Sequence, residues 1–211
     1  MSAERITPYL SLASGELDSA LRLYAWNIEI SAAFYGPLQA LEVTLRNALH
    51  RELAQSTGRE EWWSSTRVTL DRTSADKVRA AGAAVRALHV TPTIGHIVAE
   101  LSFGFWSSLL SSRHSYDVRL WRPSLHRAFP GYRGPRRPLY QDLYHLRRFR
   151  NRIAHHEPVH HRHLEHDHAN VLRILGYMCG DTAAWVRDND RVPDVLRRRR
   201  QVLDGSAHSR F

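Results

Sequence analysis

Apolar residues along this chain recur at intervals of three and four, the spacing of one face of an α-helix. From about Gly15 to Tyr35 the stripe is Leu17, Leu21, Tyr24, Ile28 and Ala32. Gly36-Pro37 then predicts a break, because proline lacks an amide donor and suits the first turn of a new helix. The second helix, roughly Leu38 to Gln55, carries Leu38, Leu41, Leu45, Leu49 and Leu53 and stops near Gly58. A short loop holds Trp62 and Trp63, and an alanine-rich third helix covers about Ser74 to Leu88. A fourth starts at Thr91-Pro92-Thr93 and runs through Ile97, Leu101, Phe105 and Leu109. A fifth, Tyr116 to Ala128, closes at Phe129-Pro130-Gly131, and residues 130–138 read as a basic, turn-rich loop.

The sixth helix, about Leu139 to His155, buries Leu139, Leu143, Leu146, Phe149 and Ile153. Pro158 bounds it, since the residue before a proline is pushed out of the α region. The last clear helix spans about Asn170 to Met178, with Trp185 following. No segment alternates with the period of a strand. The expectation is an all-α fold in one domain over residues 1–195, followed by a basic, flexible tail over 196–211 that contains Arg197-Arg198-Arg199-Arg200.

Composition narrows the setting. A hydrophobic fraction of 43% supports a real core. The single cysteine, Cys179, excludes an intrachain disulfide framework and reads as a small core residue in a reducing compartment. With no apolar leader region and no run of about 18 uncharged apolar residues, the sequence predicts a cytoplasmic protein without a membrane partner. The net charge of +9 comes almost wholly from arginine, with Lys77 the one lysine, and Arg133, Arg136, Arg137, Arg147, Arg148, Arg150 and Arg152 crowd one segment. A GC-rich genome favours arginine too, but guanidinium groups also grip phosphates bidentately, so a polyanion partner follows naturally.

Arg150-Asn151-Arg152-Ile153-Ala154-His155-His156-Glu157-Pro158 is the sharpest chemical feature. Histidine passes protons near neutrality, and arginine holds a phosphate or stabilises its transition state. On a regular helix Arg150 and His155 would lie about 140° apart. A helix end near His155 lets the imidazole turn towards the arginine side, and Arg152 is too close in sequence to do the same.

This run resembles the Arg-x4–6-His motif of HEPN nucleases, with Asn151 after the arginine as in the Arg-Asn-x-x-x-His form. Ala33-Phe34-Tyr35-Gly36-Pro37-Leu38, Leu41-Glu42-Val43-Thr44-Leu45-Arg46-Asn47 and Leu101-Ser102-Phe103-Gly104-Phe105-Trp106 resemble, in order, the Abi-like branch from phage abortive-infection systems. The resemblance implies a HEPN-type helical bundle with additional helices. Its implied activity is that of a metal-independent, cofactor-free endoribonuclease of toxin or antiviral-defence type, active as a homodimer. It allows a neutralising antitoxin, protein or RNA, as a partner. By position the catalytic candidates are Arg150, Asn151 and His155, with His156 satisfying the same spacing. Attack of an RNA 2′-hydroxyl on phosphorus would leave a 2′,3′-cyclic phosphate and a 5′-hydroxyl. Alternatives are a non-catalytic RNA-binding module of the same fold, or a helical interaction scaffold.

Glu42, Arg46 and His50 fall at i, i+4, i+8, with Asn47 alongside. They read either as a surface ion-pair stripe or as a network that orients Arg150 or lines an RNA groove. Arg147 and Arg152 join them as RNA-binding or supporting candidates. His155, His156, His160, His161, His163, His166 and His168 lack an ordered ligand spacing and read as a histidine-rich surface loop that picks up zinc or nickel adventitiously, not as a metal centre. Phe103, Phe105, Trp106 and Trp121 are expected in the core.

Overall fold

The computed structural model describes residues 3–88 and 90–211, and all regular structure among them is helical. Nine α-helices occur among the described residues: α1 (Ala3–Leu12), α2 (Leu17–Thr57), α3 (Arg72–Leu88), α4 (Ile94–Glu100), α5 (Phe103–Ser108), α6 (Arg136–Ala154), α7 (Leu164–Met178), α8 (Gly180–Asn189) and α9 (Val192–Asp204). Short 3-10 turns at Trp62–Ser64, Arg113–Ser115 and Leu125–Ala128, and a π turn at Asp117–Trp121, fill the connections. No helix among the described residues is long and apolar enough to cross a membrane.

The spine is α2, whose 41 residues extend about 60 Å at 1.5 Å each. It runs through Gly36-Pro37 where the sequence predicts two helices. Proline there removes the bond to the Ala33 carbonyl, a loss of about 3 kcal/mol. Phe34, Leu38 and Leu41, all buried on the two sides of Pro37, recover about 1.5–3 kcal/mol each, so packing outweighs the local rule. The buried stripe holds Ala20, Trp26, Ile30, Phe34, Leu38, Leu41, Leu45, Leu49 and Leu53. The first predicted stripe lies on another face: Leu17 and Leu21 are exposed, Tyr24 and Ile28 half-buried, Ala32 exposed.

Helices α1, α5, α6, α7 and α9 pack around this spine. The predicted fourth helix is two, because Ser102 interrupts it and its hydroxyl accepts the Phe105 amide at 3.3 Å as an N-cap. Phe103, Phe105 and Trp106 are buried and Trp121 half-buried. Between Tyr116 and Ala128 the chain makes π and 3-10 turns where the sequence predicts a helix. Helix α1 precedes every helix that the apolar spacing predicts; Tyr9 anchors it, fully buried and edge-on to Tyr24 at 5.2 Å. Cys179 is only half-buried, at the junction of α7 and α8.

The basic run expected in a tail lies in α9. Val192, Val195 and Val202 are buried against α2, Arg198 pairs with the buried Glu29, and the Arg199 guanidinium lies 4.8 Å from the Trp26 ring. Four successive arginines obscure a valine stripe that gives this helix a firmly docked face.

Candidate active site

Helix α6 runs antiparallel to α2, so Phe149 meets Phe34, and residues 159–160 reach back to Asn27. This crossing sets Arg150 against Glu42 of α2, Nε to Oε2 3.2 Å. The other oxygen of Glu42 accepts the Phe103 amide at 3.0 Å, at the start of α5. One carboxylate therefore joins three helices, satisfying an otherwise unpaired first-turn N–H while fixing the Arg150 guanidinium. Arg150 still exposes 42% of its side chain, whereas Glu42 exposes 19%.

Arg150, Glu42 and Arg46 line one cavity of about 300 Å³, walled by Tyr35, Ile153 and Ala154. Arg46 donates to the Ala99 carbonyl at 3.5 Å, and its Nε is buried with no hydrogen-bond partner. The cavity thus carries two guanidinium groups and one carboxylate, a net positive pocket.

The end of α6 determines where the histidines go. The helix stops at Ala154, with His155 at the cap. His156 N–H donates to the Ile153 carbonyl at 3.0 Å and Glu157 N–H to the Arg152 carbonyl at 2.8 Å, the paired bonds of a Schellman stop. The left-handed position of that motif favours glycine, yet His156 occupies it with φ 56°. Arg152 clasps the turn from the same side, 3.3 Å from Glu157 and donating to the Pro158 carbonyl at 2.9 Å. Arg5 of α1 donates to the His156 carbonyl. His156 lines a second cavity of about 830 Å³ that shares Tyr35, Ile153 and Ala154 with the Arg150 cavity. His155 and Asn151 are exposed beside it.

The remaining candidates have more local settings. Asn47 is exposed, and Arg147 lies 5.1 Å from the Tyr144 ring. His50 accepts the Trp62 indole N–H at 3.1 Å, and burial lowers its pKa. The histidine-rich segment is not one surface loop. His160 is buried, 5.3 Å from the Tyr9 ring, with its pKa lowered to about 4 by burial and by nearby His161, Arg199 and Arg152 charges. His166 and His168 belong to α7, where His168 sits 3.1 Å from Asp190. Among the described residues no three His, Cys, Asp or Glu side chains form a group able to hold a metal ion.

Three residues at this junction do not stand out in the sequence. Tyr35 is 67% exposed and lines both cavities. Arg5 comes from an unpredicted helix. Asn27 is buried and accepts the Val159 and His160 amides at 2.8 and 3.2 Å, holding the chain that leaves the motif. Its one sequence signal is a carboxamide on the buried stripe of α2, seven residues after Ala20. No family model, curated protein or solved structure matches this chain, so the HEPN and Abi-like resemblance rests on its own motif segments.

Proposed function

We propose that this chain is a HEPN-type, metal-independent endoribonuclease of the Abi-like kind, acting as a toxin or phage-defence effector. The observation that carries the reading is the Glu42-held Arg150 in a cavity that shares a wall with the one lined by His156. A guanidinium and a histidine that line adjoining cavities suit a phosphodiester: the arginine meets the phosphoryl oxygens as charge builds on them, and histidine moves the proton.

In the proposed reaction a base takes the proton of the RNA 2′-hydroxyl, whose oxygen bonds to phosphorus. The bond from phosphorus to the 5′-oxygen breaks, and an acid protonates that oxygen. The products are a 2′,3′-cyclic phosphate and a 5′-hydroxyl, with no redox change. His156 is the favoured proton carrier, because it lines the neighbouring cavity from a backbone conformation disfavoured for its type. His155 is the alternative at the same helix end, and Asn151 orients the substrate.

One histidine cannot be base and acid in a single transition state, so a second motif across a two-fold axis completes the site. The exposed or half-exposed Leu17, Leu21, Tyr24, Ile28, Ala32 and Tyr35 support this dimer, as an apolar face beside the motif that the monomer leaves uncovered. The deciding comparison is cleavage of single-stranded RNA by H155A and H156A. H156A should be slower by about 10²–10⁴-fold, with a smaller loss in H155A. Full activity in both variants contradicts the proposal.

A further inference from the structure

Residues 113–137 contain seven arginines and one acidic residue, Asp117. Arg127 is taken up by Glu52, 3.1 Å away, and Arg136 by the Leu110 carbonyl. The other five, Arg113, Arg119, Arg122, Arg133 and Arg137, are exposed, and none pairs with an acidic side chain among the described residues.

Local packing links the segments that carry them. The turn Arg113–Ser115 packs against the turn Asp117–Trp121, which packs against Leu125–Ala128. The Arg136–Leu110 bond brings the start of α6 beside the residues that lead into Arg113. The first turn is firmly built: His114 and Ser115 both hold positive φ, 55° and 58°, and the Tyr116 hydroxyl donates to Asp71 at 2.6 Å. Left-handed backbone at two consecutive non-glycine residues is a strained arrangement that the Tyr116–Asp71 anchor maintains.

Two helices, α2 and α6, connect this region to the candidate active site. Arg127 meets α2 at Glu52, ten residues beyond Glu42, which is about 15 Å along the helix. Arg137 precedes Arg150 by thirteen residues of α6, about 20 Å. At about 3.4 Å per stacked nucleotide, either path spans roughly four to six nucleotides.

We propose that Arg113, Arg119, Arg122, Arg133 and Arg137 form a track for the phosphate backbone of single-stranded RNA, holding the strand several nucleotides away from the scissile position. The inference rests on the RNA reading above and extends it to a second site. Guanidinium groups without acidic partners favour a polyanion over a neutral or basic one, and their placement on successive turns that lead into α6 favours an extended strand.

The test is fluorescence anisotropy with a 5′-fluorescein 20-nucleotide 2′-O-methyl RNA, which this chemistry does not cleave, titrated between 50 and 200 mM salt. Each phosphate contact contributes about 0.7 to the slope of log affinity against log salt. R113S/R119S/R122S should therefore have a slope shallower by about 2, so that wild type loses roughly 18-fold more affinity across that range than the variant. R191S/R197S/R200S, with the same charge change at the N-cap and on the exposed face of α9, should keep nearly the wild-type slope. R133S/R137S reports on the other end of the track if the triple variant fails to fold. An unchanged slope in folded track variants, or an equal fall in the α9 control, overturns the proposal. Binding as expected while natural RNA stays intact keeps the track and removes only the nuclease; absence of RNA binding removes both.

Discussion

Glu42→Gln separates the two tasks of the carboxylate at the centre of the site. Glutamine keeps an oxygen for the Phe103 amide, a 3.0 Å bond in the wild type, and loses the charge facing Arg150 at 3.2 Å. Because Arg150 is 42% exposed, solvent screens the pair, and the stability loss should be about 0.5–1 kcal/mol. For a chain of this size that lowers Tm by about 1–4 °C. Glu42→Ala also strands the Phe103 N–H at the start of α5, adding about 1–3 kcal/mol. Catalysis should respond differently. Removing Arg150 altogether should slow RNA cleavage by about 10²–10³-fold, and releasing it from Glu42 by about 10–100-fold. The assay is single-turnover cleavage of a fluorescent RNA by E42Q, R150A and the double variant, beside thermal unfolding of each. If Glu42 works by positioning Arg150, the double variant is no slower than R150A. Wild-type rates in E42Q, or independent multiplying losses in the double variant, would refute the positioning role.

His156→Gly should leave stability unchanged or raise it by up to about 1 kcal/mol in chemical denaturation, because φ 56° suits glycine, while cleavage falls; a clear destabilisation would contradict the strain. His160 titrates near 4 in the fold against 6.5 when unfolded, so the unfolded chain binds the extra proton between those values. Its contribution is complete above about pH 6.5 and declines as pH falls towards 4, by about 3 kcal/mol, and H160F should flatten that part of the stability profile. Asn27→Ala leaves two amides unsatisfied and should cost about 2–4 kcal/mol in urea unfolding, with a loss below 1 kcal/mol contradicting their role in holding residues 159–160.

Where one element's own residues determine its structure, the sequence was a sound guide. Leu139, Leu143, Leu146 and Phe149 announce α6 and are all buried, and Leu38 to Leu53 announce the second half of α2. Local rules failed where tertiary burial competes with them. Pro37 marks no boundary, because the core continues on both sides of it. Val192, Val195 and Val202 dock α9 despite the arginine run between them. The turns between Asp117 and Ala128 replace a regular helix, with Pro123 in their middle. At the site, the spacing of Glu42 and Arg46 beside the leucine face is visible in sequence. The contact of Glu42 with both Arg150 and the Phe103 amide is not, since it joins residues more than 60 positions apart. Asn27, Arg5 and Tyr35 are hidden for the same reason.

If Arg150 and a histidine at the end of α6 cleave RNA without a metal, the new RNA ends carry the signature of that chemistry. The most direct measurement is to incubate purified protein with a defined single-stranded RNA in excess EDTA and determine the chemistry of both new ends. Expected are 2′,3′-cyclic phosphate and 5′-hydroxyl ends in EDTA, no cleavage of the all-deoxy strand, and loss of the products in R150A. Cleavage that needs an added metal, leaves 5′-phosphates or persists unchanged in R150A would contradict that chemistry.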